Sequence, residues 1–181
     1  MPLTFEDLTR YDNRRLEPFM RSEAVPTASD LVGYEFRGWN IQSLTDLLGT
    51  RKFIKGFYGD TASSSAWGYN MPVQQNHRDQ PWLPKLKDNQ PIRYYFYKVL
   101  PGAWLPDAIH PQTLVIDYRQ WPEYSTFDPV KYTVDYLVYP DPANRDLVVG
   151  KSYGQMGFIK PFLGFFILAR LRPSDYEGRR P

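Results

Sequence analysis

Residues 131–139 read KYTVDYLVY, and the alternation in them decides the fold. Tyr132, Val134, Tyr136 and Val138 fall on one face, and Thr133, Asp135, Leu137 and Tyr139 on the other, which is the period of a β-strand. Downstream, Pro140, Asp141, Pro142 and Asn144 supply hairpin-turn chemistry before a second strand at 146–153 (DLVVGKSY). Further strands read at 92–100 (IRYYFYKVL), 113–119 (TLVIDYR) and 162–171 (FLGFFILARL).

Towards the N-terminus the same reading gives strands at 31–41 (LVGYEFRGWNI), 52–58 (KFIKGFY) and 66–73 (AWGYNMPV). Glycines 33 and 38 inside the first of these mark a bend, a bulge or a close backbone approach. A short helix is expected over 43–49, with Ser43 as N-cap and Gly49 as stop. The first thirty residues read as an irregular lead-in with helical turns at 4–8 and 17–20. Residues 74–90 form a polar loop anchored by Trp82 and Leu83, and 173–181 a flexible tail. The count comes to about eight strands in one domain over 1–181, an all-β, mainly antiparallel chain that closes, or nearly closes, a barrel able to hold one small ligand.

Composition agrees. Aromatics make up 17% of the chain, with 14 Tyr and 11 Phe, and flat rings favour pleated surfaces. Seventeen prolines argue against long helices. A net charge of +2 without clustered cations is too weak to argue for nucleic acid, so no nucleic-acid partner is expected; Arg170, Arg172, Arg179 and Arg180 read as a solvated end. With no cysteine, disulfides, thiolate metal sites and a Cys nucleophile are excluded. The N-terminus lacks the basic and apolar regions of a signal peptide, and the run 162–169 is too short to span a membrane as a helix, which makes cytoplasmic the default.

The order of elements resembles the calycin superfamily of lipocalin-like barrels. There a Gly-x-Trp first strand follows an irregular N-terminal segment, and a basic residue late in the last strand packs over the aromatic ring. The matching residues are Gly33 to Trp39 and Arg170 or Arg172. The chain is also faintly similar to GXWXG and DUF4334-type bacterial proteins, which have no established activity. Here Phe36-Arg37-Gly38 stands for their Trp-x-Gly, Arg51-Lys52-Phe53 for the following strand, and Tyr118-Arg119 for a later segment. The resemblance implies a fold and a ligand-binding role.

Chemistry-bearing residues are sparse. His77 and His110 sit in Pro-rich loops without metal-ligand spacing, so no metal and no cofactor are expected. Among the charges in strands (Glu35, Arg37, Arg93, Asp117, Arg119 and Asp135), parity sends each to the outer wall if the apolar face points into a core. The expected function is binding of a small hydrophobic or amphipathic molecule inside the barrel, with Arg37, Trp39, Tyr94, Tyr97, Tyr132, Tyr136 and Tyr153 as candidate contacts. Two rivals stand beside it. One is an enzyme using a polar interior cluster such as Arg37, Tyr97 and Asp117; the other is a filled barrel that meets a protein partner through Trp82 and Trp104. Oligomeric state is not legible.

Overall fold

The computed structural model describes residues 2–41, 50–125, 128–174 and 176–178. Eight antiparallel strands close a barrel: β1 (Tyr34–Ile41), β2 (Lys52–Tyr58), β3 (Ala66–Pro72), β6 (Tyr94–Pro101), β7 (Leu114–Asp117), β8 (Thr133–Val138), β9 (Leu147–Gly154) and β10 (Phe162–Pro173). Their order around the wall is β1-β10-β9-β8-β7-β6-β3-β2. Outside the wall, β4 (Leu86–Lys87) and β5 (Gln90–Pro91) form a small hairpin whose turn residues Asp88 and Asn89 both take positive φ. The helix expected over 43–49 lies outside the described residues.

Each expected strand exists, within a few residues at its ends, because period-two patterning and turn chemistry agree in every segment. The lead-in is more ordered than its sequence suggests. It carries α1 (Phe5–Leu8), α2 (Asn13–Leu16), a 3₁₀ turn (Glu17–Arg21) and α3 (Ala28–Leu31). Thr4 with Asp7 and Thr27 with Asp30 form capping boxes, and Asp12 caps α2, so three very short helices have their first free N–H groups satisfied.

Two apolar cores result, one on each face of the wall. The inner core holds Phe36, Phe57, Tyr97, Val99, Ile116, Leu137, Val148 and Leu168, all without solvent exposure. Glycines opposite aromatic residues give the rings their room: a Cβ at Gly38, Gly68 or Gly150 would stand 2.1–2.2 Å from the rings of Phe53, Tyr97 and Phe166. The outer core lies where Phe5, Leu8, Leu16 and Met20 of the lead-in pack on Val134, Tyr136, Val149, Phe165 and Ile167.

This second core corrects the parity argument. Because the outer faces of β8 and β9 are themselves covered, both faces of residues 134–138 are buried, and the wholly apolar face of this strand (Val134, Tyr136 and Val138) is the outer one, so apolar character no longer marks the inside. Asp135 points into the barrel and Tyr136 out. Arg170 and Arg172 are likewise not a loose end. They belong to β10, where Arg170 pairs with Asp146 and lies 3.8 Å over the Tyr34 ring, and Arg172 pairs with Glu35. Tyr176 of the tail packs edge-on against Tyr58 and Tyr69.

Candidate functional site

Where do the polar groups inside the wall go? β2 and β8 stand half a circuit apart, yet Lys55 Nζ of β2 lies 3.3 Å from Asp135 Oδ2 of β8, so this ion pair crosses the barrel. Two cross-strand pairs face each other there. On one side Lys55 is opposite Asn70 and donates to its Oδ1 at 3.1 Å; on the other Ser152 is opposite Asp135 and donates to its Oδ1 at 2.6 Å. Tyr118, just after β7, closes the circle: its hydroxyl accepts from Lys55 Nζ and, at 3.0 Å, from Asn70 Nδ2. Five segments thus meet at one point.

The surroundings are aromatic. The Lys55 ammonium sits 4.8 Å from the ring centre of Tyr97, 5.0 Å from Tyr118, 5.4 Å from Phe166 and 5.7 Å from Phe53. Lys55 is 3% and Asp135 2% exposed. Burial pushes the Lys55 ammonium below the usual lysine range, with the Asp135 charge acting against it, and holds the Tyr97 and Tyr118 phenols well above theirs. All three Lys55 donors have an acceptor. Tyr118 is different: its oxygen accepts twice, and its own proton has no acceptor among the described residues.

The cluster lies towards the end of the barrel where β1, β3, β7 and β9 finish, the loop end, which carries the long connection 73–93. Partly buried Tyr95, Tyr124 and Val130 pack on the inner core. Tyr95 takes φ 48° beside the shifted register at Gly68/Asn70, a bulge that re-aims the top of β6. At the opposite end α3 places Ala28 and Leu31 against the same core.

The seven residues expected as contacts do not share one cavity. Only Tyr97 is inside, where its hydroxyl reaches the carbonyls of Gly56 (3.1 Å) and Tyr69 (3.2 Å). Tyr94 sits at the rim opposite Asn70. Arg37 and Trp39 are on the outer wall; Arg37 pairs with Glu6 and lies 4.3 Å over the Phe5 ring. Tyr136 and Tyr153 belong to the outer core, with His110 5.2 Å and 6.0 Å from their rings. Tyr132 lines an open groove of about 600 Å³ with Arg119, Trp121, Tyr124, Lys131 and Gln155.

The polar cluster expected for an enzyme is not assembled either. Asp117 faces outward and, with Asp107, holds Arg119 at 2.9 and 2.6 Å. Trp82, expected on an exposed loop, is buried against Phe5 and donates to the Gly38 carbonyl; Trp104 is exposed. Trp82 is set by Lys52, whose ammonium lies 3.8 Å from its ring and donates to Asn76, His77 and Gln80, folding the 74–82 loop around one cation.

Lys55, Asn70 and Ser152 were missed in the sequence. A signal was there for Lys55: it stands between Phe53 and Phe57 on a single strand face, a cation flanked at i±2 by rings. No pattern marks Asn70 or Ser152, since their role comes from strands far apart in sequence. Among the described residues there is no group of three or more His, Asp or Glu able to hold a metal, and no helix long and apolar enough to cross a membrane. The chain matches no known family model and no curated protein.

Proposed function

We propose that the chain binds a small amphipathic molecule at the loop end of its barrel, with the ligand's polar acceptor taking the Tyr118 hydroxyl proton and Lys55 holding that hydroxyl in place. The observation that carries this reading is the Tyr118 hydroxyl, which sits in a shell of satisfied groups with its own proton unclaimed. A buried ion pair is generally less stabilising than well-packed apolar residues of the same volume, so Lys55 and Asp135 call for a reason beyond stability. The rings around Lys55 suit a planar or conjugated ligand body, and the filled lower barrel directs that body towards Tyr95, Tyr124 and Val130.

The test is native mass spectrometry of the purified chain, alone and after incubation with aromatic and aliphatic carboxylic acids and phenols. An adduct of a few hundred daltons should appear on the wild type. On Tyr118→Phe its dissociation constant should be about tenfold higher, the loss of one hydrogen bond to a charged or strongly polar partner. A bare mass across the whole panel would overturn the reading.

A second reading uses the same centre as a proton-transfer catalyst. What favours it is a lysine held below its usual range beside a tyrosine and a carboxylate, the usual equipment of general acid–base chemistry. Turnover of a bound ligand, lost in the stable Lys55→Met Asp135→Leu double variant while the ligand adduct is still seen, separates it from simple binding.

A further inference from the structure

Six of the eight exposed large apolar side chains among the described residues lie at the loop end: Leu83, Leu86, Met156, Phe158, Ile159 and Phe162. They form two groups. Leu83 and Leu86 belong to the β3–β6 connection and its hairpin; Met156, Phe158 and Ile159 belong to the β9–β10 connection, and Phe162 opens β10. In the barrel order β3 and β9 stand on opposite sides, so the two groups flank the end above the Lys55 cluster.

Both groups are built, not frayed. Met156 and Ile159 exchange backbone hydrogen bonds at 3.0 and 3.2 Å across Gly157-Phe158, and Gly157 takes φ 63°. Glycine at positive φ in the first central position is the type II′ hairpin turn, and it presents Phe158 at the apex, fully exposed. The second group is tied down by Lys85 N to Pro72 O at 2.8 Å and Ile92 N to Lys85 O at 3.0 Å, with a tight Asp88-Asn89 turn at its tip.

The charge around these tips is biased. Exposed Lys85 and Lys87 flank Leu86, against Asp88 as the one acid in the two tips, while Lys160 after Ile159 is half-buried and donates to the Asp107 carbonyl at 2.7 Å. Between them the 118–132 connection adds Glu123 and Asp128 against Lys131, with Arg119 already held by Asp107 and Asp117. Apolar side chains at an apex, with lysines one residue away, are the arrangement that inserts rings below lipid headgroups while ammoniums stay among the phosphates.

We propose that the loop end of the barrel docks on an anionic lipid surface, with Phe158 and Ile159 inserting on one side and Leu86 on the other. This stands independently of the ligand reading. The test is co-sedimentation of the full chain with phosphatidylcholine vesicles and with vesicles containing one-quarter phosphatidylglycerol, at low and high salt. The chain should pellet with the anionic vesicles, and high salt should release part of it. Phe158→Asp with Ile159→Asp should lower the bound fraction about tenfold or more while leaving the melting temperature unchanged, since both side chains are exposed. Lys85→Glu with Lys87→Glu should remove the preference for anionic lipid. A wild type that stays in the supernatant with both vesicle types overturns the proposal, as does a chain whose tips are covered by a second copy in light scattering.

Discussion

Lys55 shows what a single residue does to this molecule. Its ammonium is held by Asp135, Asn70 and Tyr118 inside a ring of aromatic side chains, and none of these partners is within ten residues of it in sequence. Replacing it alone strands the Asp135 carboxylate, with only the Ser152 hydroxyl left to it among these groups. We expect Lys55→Met to lose about 3–5 kcal/mol in urea unfolding, the usual cost of orphaning one member of a buried pair. Lys55→Met with Asp135→Leu should recover to within about 1 kcal/mol of wild type, because the barrel then holds apolar groups of similar volume. A double variant as unstable as the single one would mean that the cluster holds the fold together and does not serve a site. Lys55 was legible in part, as the one cation between Phe53 and Phe57 on its face. Its partners were not, because cross-barrel pairing leaves no local trace.

Elements form here by agreement of pattern and turn, and their spacing by glycine. Gly68 of β3 stands opposite Tyr97 of β6, whose ring lies over it and whose hydroxyl is tied to the carbonyls of Gly56 and Tyr69. A Cβ at Gly68 would come within 2.1 Å of that ring and 2.6 Å of the Gly56 carbonyl oxygen. Neither has room to give. Gly68→Ala should therefore cost about 1–3 kcal/mol, or more if the strand shifts, read as a lowered denaturation midpoint with unchanged slope. Strand positions were legible because each carries its own alternation and its own stop signals. The short lead-in helices were harder, since a four-residue helix has too few positions to show a period and is recognised only by its caps.

Across the whole molecule the unusual feature is a wall buried on both sides. The lead-in covers β8, β9 and β10 with Phe5, Leu8, Leu16 and Met20, and Lys151 on that outer face is held by both carboxylate oxygens of Glu17 at 2.7 and 2.8 Å. Removing residues 1–21 should leave the barrel strands with a bare apolar outer face. The expected readout is a strong rise in hydrophobic-dye binding and loss of monodispersity; a truncated chain as stable and dye-silent as the full one would show that the outer core is dispensable. Sequence by itself determined that this chain is all-β and mainly antiparallel, with about eight strands closing or nearly closing a barrel, because period-two patterning and turn residues are local and each strand carries its own; full closure and the strand order came from the structure. Only the tertiary structure decided which face of each strand looks inward. With apolar cover on both sides, alternation says that two faces differ but not which is the core, and so Asp135 and Lys55 meet at the centre while Arg37, Trp39, Tyr136 and Tyr153 lie outside.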